Sequence, residues 1–322
     1  MPEERTGTHP MGETPLPLLY VAGTGRSGST LLDVLLGSIP GFVSLGEFWQ
    51  VWRNIWVEDR FCGCGSRLQA CAFWQAAITR AFGGMEGVDG VQHLRADRRA
   101  IPPRRPPSWV TRGAARTLAP SLADRVRLYR AVAEESGAAM LVDSSKSPAY
   151  LLALRHAPGL DVRVVHLVRD SRAVAHSRAT PKANPQPSDP ANRMPALRHR
   201  GSAAVWAREQ AIIEALVRPR FPTLRVYYED LARAPESQLR RITSFATPEA
   251  PIPWEWPGTM TPARNHTVAG NAMRLDNRPL VIEPDARWMT EMAPRKRRQV
   301  TALTWPLLAA YGYVGPWRRR GA

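Results

Sequence analysis

Gly23-Thr-Gly-Arg-Ser-Gly-Ser-Thr30 joins the apolar run Leu18–Ala22 to another that begins at Leu31. A glycine-rich turn between a strand and a helix start presents successive backbone N–H groups to an anion. Gly23 and Gly28 have the separation of the nucleoside-triphosphate loop G-x-x-x-x-G-K-[ST], and Thr30 closes that pattern. Ser29, however, stands where the loop lysine belongs, and the cation lies upstream at Arg26. A cradle that keeps its backbone and relocates its charge suits an anion held by a route other than Mg-ATP. Its candidate members are Arg26, Ser27, Gly28, Ser29 and Thr30, with the Thr30 hydroxyl a further donor. Arg26 is suited to stabilise charge on a leaving oxygen. The plain alternative is a tight turn with no ligand.

A second anion segment is Val164-Val-His-Leu-Val-Arg-Asp-Ser-Arg-Ala-Val-Ala-His-Ser177. Arg169 closes an apolar strand, and Ser177 lies about two helical turns beyond it. The two can converge on a second phosphate, unless Arg169 is spent on a neighbouring acid such as Asp170. Lys146, in Asp143-Ser-Ser-Lys146, also follows a strand end, and it is the only lysine in the first 180 residues.

The elements that must carry these groups alternate. Strands are expected at 16–22, 139–143, 162–168 and 224–228, with a short extended piece at 42–45. Helices are expected at 28–38, 47–57, 72–82, 122–137 (Ser121 as N-cap), 147–156, 170–179, 202–217 and 235–246. This order implies an α/β fold, a mostly parallel central sheet with helices on both faces, and ligands beyond the carboxyl ends of the strands. Residues 1–15 are expected to be a disordered N-terminal segment, and 16–318 a single domain. Proline-rich inserts interrupt it near 83–107 and 181–198; the first reads as a surface insert, the second as a lid or disordered loop. Phe48, Trp49, Trp52 and Trp56 form an aromatic stripe that packs a core or walls an acceptor pocket. Trp206 and Tyr228 read as core residues, and His166 as a strand residue facing the core.

Bulk properties narrow the classes. The chain has 322 residues and a formal net charge of +16. Its only lysines are Lys146, Lys182 and Lys296, so arginine dominates its basic residues. The arginine, alanine, proline and glycine content resembles that of GC-rich genomes, which explains part of the charge; an electropositive site for a small polyanion explains the rest. Scattered basic residues without a finger or RNA-recognition signature argue against nucleic acid. No apolar run is long enough for a membrane span, and the polar N-terminus does not look like a secretory signal; a cytoplasmic protein is expected. Cys62, Cys64 and Cys71 are odd in number and clustered. They read as a compact loop of partly buried thiols or a local disulfide; a structural zinc site is the lesser alternative and no metal is assigned, because three sulfurs need a fourth ligand and the nearest downstream histidine is His93. Oligomeric state has no signature in the sequence.

Taken together, Arg26-Ser-Gly-Ser-Thr30 after a strand and Val168-Arg-Asp-Ser-Arg-Ala-Val-Ala-His-Ser177 resemble the sulfotransferases that use 3′-phosphoadenosine 5′-phosphosulfate (PAPS). Cys62-Gly-Cys-Gly65, Cys71-Ala-Phe-Trp74, Tyr228-Glu-Asp-Leu231, Gly270-Asn-Ala-Met-Arg274 and the Leu303–Tyr313 tail look like those of bacterial members. The resemblance implies a P-loop NTPase-like sulfotransferase fold with PAPS as co-substrate and no metal in the reaction. Arg26, Ser27, Gly28, Ser29 and Thr30 would hold the 5′-phosphosulfate, and Arg169 and Ser177 the 3′-phosphate. Asn271 and Arg274 would close over the nucleotide, with Gly270 giving the backbone freedom. The acceptor would be a small molecule, lipid or sugar carrying a hydroxyl; the aromatic stripe favours an apolar or aromatic alcohol. Glu47 is the preferred general base and Lys146 the sulfate- or leaving-group cation, by similarity to tyrosylprotein sulfotransferases; His266 competes for the base role. The other classes are a P-loop kinase-like phosphotransferase, which the missing loop lysine disfavours, and a non-catalytic basic protein that binds anions or nucleic acid.

Overall fold

The computed structural model describes residues 14–100, 112–184, 186, 188, 189, 191–249, 254–276 and 278–314. Residues 1–13 of the expected N-terminal segment, the proline run 101–107, Pro185, Pro187, Pro190 and residues 315–318 lie outside the described residues.

The elements follow in chain order as β1 (Leu16–Gly23), α1 (Ser29–Gly37), β2 (Phe42–Ser44), α2 (Val51–Trp56), α3 (Ala72–Phe82), α4 (Gly90–Ala100), α5 (Arg112–Ser136), β3 (Met140–Lys146), α6 (Pro148–Leu154), β4 (Leu160–Val168), α7 (Ser171–Ala179), β5 (Lys182–Ala183), β6 (Arg193–Met194), α8 (His199–Ile212), β7 (Thr223–Tyr227), α9 (Tyr228–Arg233), α10 (Pro235–Ala246), α11 (Trp288–Glu291) and α12 (Pro294–Ala310). Five strands form one sheet in the order β2-β3-β1-β4-β7, and every neighbouring pair is parallel. The expected α/β architecture is therefore present. β1 is central, and Leu18 through Ala22 are fully buried, which is why its sequence is continuously apolar rather than alternating. Leu18, Tyr20 and Ala22 face a core built with α2, α3, α5 and α6, while Leu19 and Val21 face a second core shared with α1 and α10. The carboxyl ends of β1, β3 and β4 open at the same edge, and Ala22 is in register with Lys146 after an irregularity in the β1–β3 pairing.

Two expectations change. The break at 83–107 contains helix α4, whose His93 and Asp97 are buried against α2 and α5. Ser121 does not cap a helix; it lies inside α5, and its hydroxyl donates to Asp97 Oδ1 at 2.8 Å. Polar residues at buried positions mask the helical period of α4, and Pro120, which reads as a breaker, sits within α5. Within 181–198, β5 (Lys182–Ala183) pairs antiparallel with β6 (Arg193–Met194).

Behind the β1–α1 turn, Asp33 is 2% exposed and one carboxyl oxygen has no partner. Burial pushes its pKa up to about 7, against the opposing pull of Ser44, Ser144 and Lys146. Its carboxyl thus holds its proton far above the range of an unfolded chain, so unfolding between pH 4 and 7 releases that proton and stability falls as pH rises through this window. Asp33→Asn keeps the shape without the charge. It is expected to gain stability relative to the parent on going from pH 5 to pH 8, by on the order of 2 kcal/mol in denaturant unfolding. A pH-independent difference would contradict this account.

Candidate active site

At the carboxyl edge of the sheet lies a cavity of about 570 Å³. Arg26, Gly28, Ser29 and Thr30 reach it from the β1–α1 turn, Lys146 from the end of β3, and Arg169, Ser177 and Arg178 from the end of β4 and from α7. Glu47, Asn271, Tyr228 and Asp285 complete the wall, and Lys182, Met194, Pro195 and Leu197 of the hairpin segment cover one side.

The cradle is shaped by backbone constraint. Gly28 caps α1 in the left-handed region (φ 88°), where a Cβ would collide with the Tyr228 ring. No side chain caps α1, so its first-turn N–H groups remain available at the cavity floor. Arg26 (φ 72°) and Lys146 (φ 65°) are themselves left-handed, a conformation that costs a non-glycine residue energy and clusters at functional sites.

Positive charge is crowded here. Burial lowers the pKa of Arg26, and the Arg178 guanidinium lowers it further. Lys182 is lowered by burial and then by Arg26 and Arg169. Arg178 is lowered by burial and donates through Nε to Gly25 O at 3.2 Å. Arg26 Nη1 is buried with no partner. Cations that disfavour one another, together with an unpartnered guanidinium nitrogen, are an arrangement that an anion would stabilise.

Beside the cradle, at the end of the neighbouring strand, Lys146 Nζ donates to Glu47 Oε1 at 2.6 Å and to Ser144 O at 3.1 Å. Glu47 Oε2 accepts from Gln50 Nε2 at 2.7 Å. The backbone around Glu47 is held on three sides. Leu45 N bonds Val142 O, Val268 N bonds Leu45 O, and Glu47 N bonds Ala269 O. Gly46 (φ 69°) passes so close to Ala269 O that no side chain fits. Arg125 of α5, fully buried and paired with Asp97, donates to the carbonyls of Phe48 and Trp49 at 3.2 and 3.3 Å. Trp49 N donates to Ser145 Oγ at 2.8 Å, which ties this turn to the end of β3.

The cavity thus unites Arg26, Gly28, Ser29, Thr30, Glu47, Lys146, Arg169, Ser177 and Asn271. Ser27 is buried beneath it. Arg274 is buried and turned away, donating to Thr267 O at 2.8 Å and Phe61 O at 2.5 Å. His266 is not among the lining residues; its Nδ1 lies 3.3 Å from Cys71 Sγ. His166 bonds Gln210 in the core, and burial holds its pKa down near 4. Arg169 is already engaged: it pairs with Asp285 Oδ2 at 3.1 Å, donates to Arg26 O at 3.0 Å and lies 4.2 Å over the Tyr228 ring. Asn271 N donates to Thr30 Oγ1 at 3.4 Å.

Arg178, Lys182, Tyr228, Asp285 and Arg125 were not singled out as site residues from the sequence. Arg178 had a signal, since it directly follows Ser177; Tyr228 is not pure core but a wall of the cavity. Of the aromatic stripe, Phe48 and Trp52 are fully buried in the core. A neighbouring cavity of about 470 Å³ shares Glu47 and is lined instead by Gln50, Arg53, Arg60, Asn184, Asn192 and Arg193.

Residues 17–251 match the sulfotransferase family, and the chain belongs to it. It is similar, at 20% identity and a TM-score of 0.49, to a sulfotransferase domain from the olefin synthase of Synechococcus PCC 7002, over 97% of this chain and 100% of that one. It is also similar to a sulfotransferase domain from the curacin biosynthetic pathway, at 16% identity and a TM-score of 0.47, over 90% and 98% of the two chains. A sulfotransferase of Mycobacterium avium follows at 14% identity and a TM-score of 0.40, over 93% and 69%. No match is found among curated proteins. Among the described residues no helix is long and apolar enough to cross a membrane.

The parent protein is expected to gain thermal stability from millimolar inorganic pyrophosphate. Arg178→Ala should weaken the apparent affinity by about tenfold, the loss of one charge-assisted contact. An unchanged titration midpoint in the variant would exclude Arg178 from the anion site.

Proposed function

We propose that this sulfotransferase moves the sulfuryl group of PAPS to the hydroxyl of an acceptor. The observation that carries the reading is the Glu47–Lys146 pair, 2.6 Å apart, on the wall of the cavity whose floor is the Arg26–Thr30 cradle. The residues present fit the donor: uncapped helix N–H groups, a buried Arg26 nitrogen without a partner, and a crowd of cations of lowered basicity. When bound, PAPS supplies an activated sulfuryl group on a phosphate leaving group.

In this reading the first-turn N–H groups of α1 and the Thr30 hydroxyl hold the 5′ end. Arg169 and Ser177 bind the 3′-phosphate, with Arg178 adding charge between the two ends. Glu47 accepts the acceptor proton, and its hydrogen bonds from Lys146 and Gln50 keep it aimed. Lys146 and Arg26 offset charge on the departing oxygen. In-line transfer of this kind depends on positioning and electrostatics, as phosphoryl transfer does. The cavity that shares Glu47 supports a polar, hydroxyl-bearing acceptor, because arginines and asparagines rather than the aromatic stripe line it. A cytoplasmic location, a single domain over 16–318 and independence from nucleic acid accompany the proposal. Arg274, buried on two carbonyls, is left out of the nucleotide site.

Two experiments test it. Glu47→Gln and Lys146→Ala are each expected to lower turnover by ~10²–10⁴-fold while retaining binding of adenosine 3′,5′-bisphosphate; full turnover in either variant would remove that residue from catalysis. Asp285 competes with a 3′-phosphate for Arg169, so Asp285→Asn should tighten adenosine 3′,5′-bisphosphate binding about three- to tenfold by calorimetry. Weaker binding in this variant would show that Asp285 orders Arg169 rather than blocks it.

A further inference from the structure

The three cysteines do find a fourth ligand, and it comes from a distant part of the chain. Cys62 and Cys64 lie in the loop after α2, Cys71 just before α3, and His266 is 195 residues beyond Cys71. The three Sγ atoms and a ring nitrogen of His266 all lie within 4.8 Å of one another. Cys71 Sγ is 3.3 Å and Cys62 Sγ 3.6 Å from His266 Nδ1, and Cys64 Sγ is 3.7 Å from Cys71 Sγ. In a tetrahedron with Zn–S near 2.3 Å and Zn–N near 2.0 Å, the ligand–ligand edges are about 3.5–3.8 Å. All three cysteines are free thiols. We propose that Cys62, Cys64, Cys71 and His266 bind one zinc ion in a closed, structural Cys₃His site.

The surroundings suit a metal. Trp74 Nε1 donates to the His266 carbonyl at 2.8 Å, and Phe73 stacks on the His266 ring at 4.4 Å and 14°, so the imidazole is fixed in position and plane. Cys62 N bonds Ser66 O and Gly65 N bonds Cys62 O, a tight turn in which Gly65 takes φ 90°. Gly63 N bonds Thr267 O, which joins the cysteine loop to the histidine segment. Three thiolates and one Zn²⁺ carry a net charge of −1. The buried Arg274 guanidinium offsets it by bonding the carbonyls of Phe61 and Thr267, the neighbours of Cys62 and His266. The site thereby explains why Arg274 turns away from the nucleotide cavity.

With four protein ligands there is no open position for a substrate or water, so the ion acts as a staple. The two residues beyond Thr267, Val268 and Ala269, bond the Leu45 and Glu47 backbone, and Asn271 reaches Thr30. The metal would therefore hold the wall behind Glu47. Sequence spacing disfavours a metal because the fourth ligand is not local to the cysteines. His93 is not that ligand, since it pairs with Asp124 at 2.8 Å.

The test does not depend on the reaction catalysed. The full chain, purified without a histidine tag from zinc-supplemented medium and dialysed, is expected to carry about one zinc per chain by mass-spectrometric metal analysis. It should release that zinc to a colorimetric chelator when its thiols are titrated with a mercurial. Protein grown with cobalt should show thiolate-to-cobalt charge transfer and the intense ligand-field bands of tetrahedral Co²⁺. Cys71→Ser and His266→Ala should each lose most of the metal; mercurial release from the unmutated chain keeps the test decisive if either fails to fold. Zinc below one-tenth per chain, or a Cys64–Cys71 disulfide in freshly purified protein, would overturn the proposal.

Discussion

The ion pair between Glu47 and Lys146 is the contact on which the site depends. It joins residues 99 apart in sequence, and it locks the turn after β2 to the last residue of β3. An exposed pair of this kind would contribute little. Here both side chains are largely buried, so the geometry must be held by the scaffold rather than by the pair alone. The scaffold does this through Arg125 on the carbonyls of Phe48 and Trp49, through Ser145 on Trp49 N, and through the Val268–Ala269 backbone. Asp143 supports the same end of β3: its carboxylate accepts from Tyr129 and from Ser145 N, and burial raises its pKa to about 6.

In the same cavity a second constraint is a gathering of like charges. Arg26, Arg178, Lys182 and Arg169 are gathered with Asp285 as the acid among the lining residues beside them, apart from Glu47. Their mutual repulsion and partial burial store electrostatic free energy that a bound polyanion would release. Asp285 is held well below the usual carboxylate range by Arg287 and then Arg169, and in the proposed reading it occupies Arg169 until an external anion binds. The strained backbone of Arg26 and Lys146 belongs to the same logic, since both cations are aimed by φ values that only surrounding structure can sustain.

What could be read from the sequence was local. Gly23–Thr30 is contiguous, and its glycines, hydroxyls and displaced arginine carry their meaning in a single stretch. Leu18–Ala22 is apolar without alternation, and Val162–Val168 is broken only by Arg163 and His166, so parallel strands buried on both faces follow directly. Helix α4 was obscured because Asp97 and His93 are buried polar residues on a charged helix, and the start of α5 was hidden by Pro120. Arg125 gave no signal at all, because its importance comes from burial against Asp97 and two carbonyls. The role of Arg274 could not be separated from a nucleotide contact until its neighbours were known. His266 met the cysteines only through tertiary folding; spacing alone pointed to His93. Long-range side-chain pairing is the part that local periodicity does not encode.

The central claim is a ligand with two separated anionic ends, one on the α1 turn and one at Arg169 and Ser177. Calorimetric titration with adenosine 3′,5′-bisphosphate and with adenosine 5′-monophosphate, both without magnesium, tests it most directly. The account predicts one site per chain and at least a tenfold preference for the bisphosphate, about 1.4 kcal/mol. Equal affinities, or no binding of the bisphosphate at millimolar concentration, would contradict it.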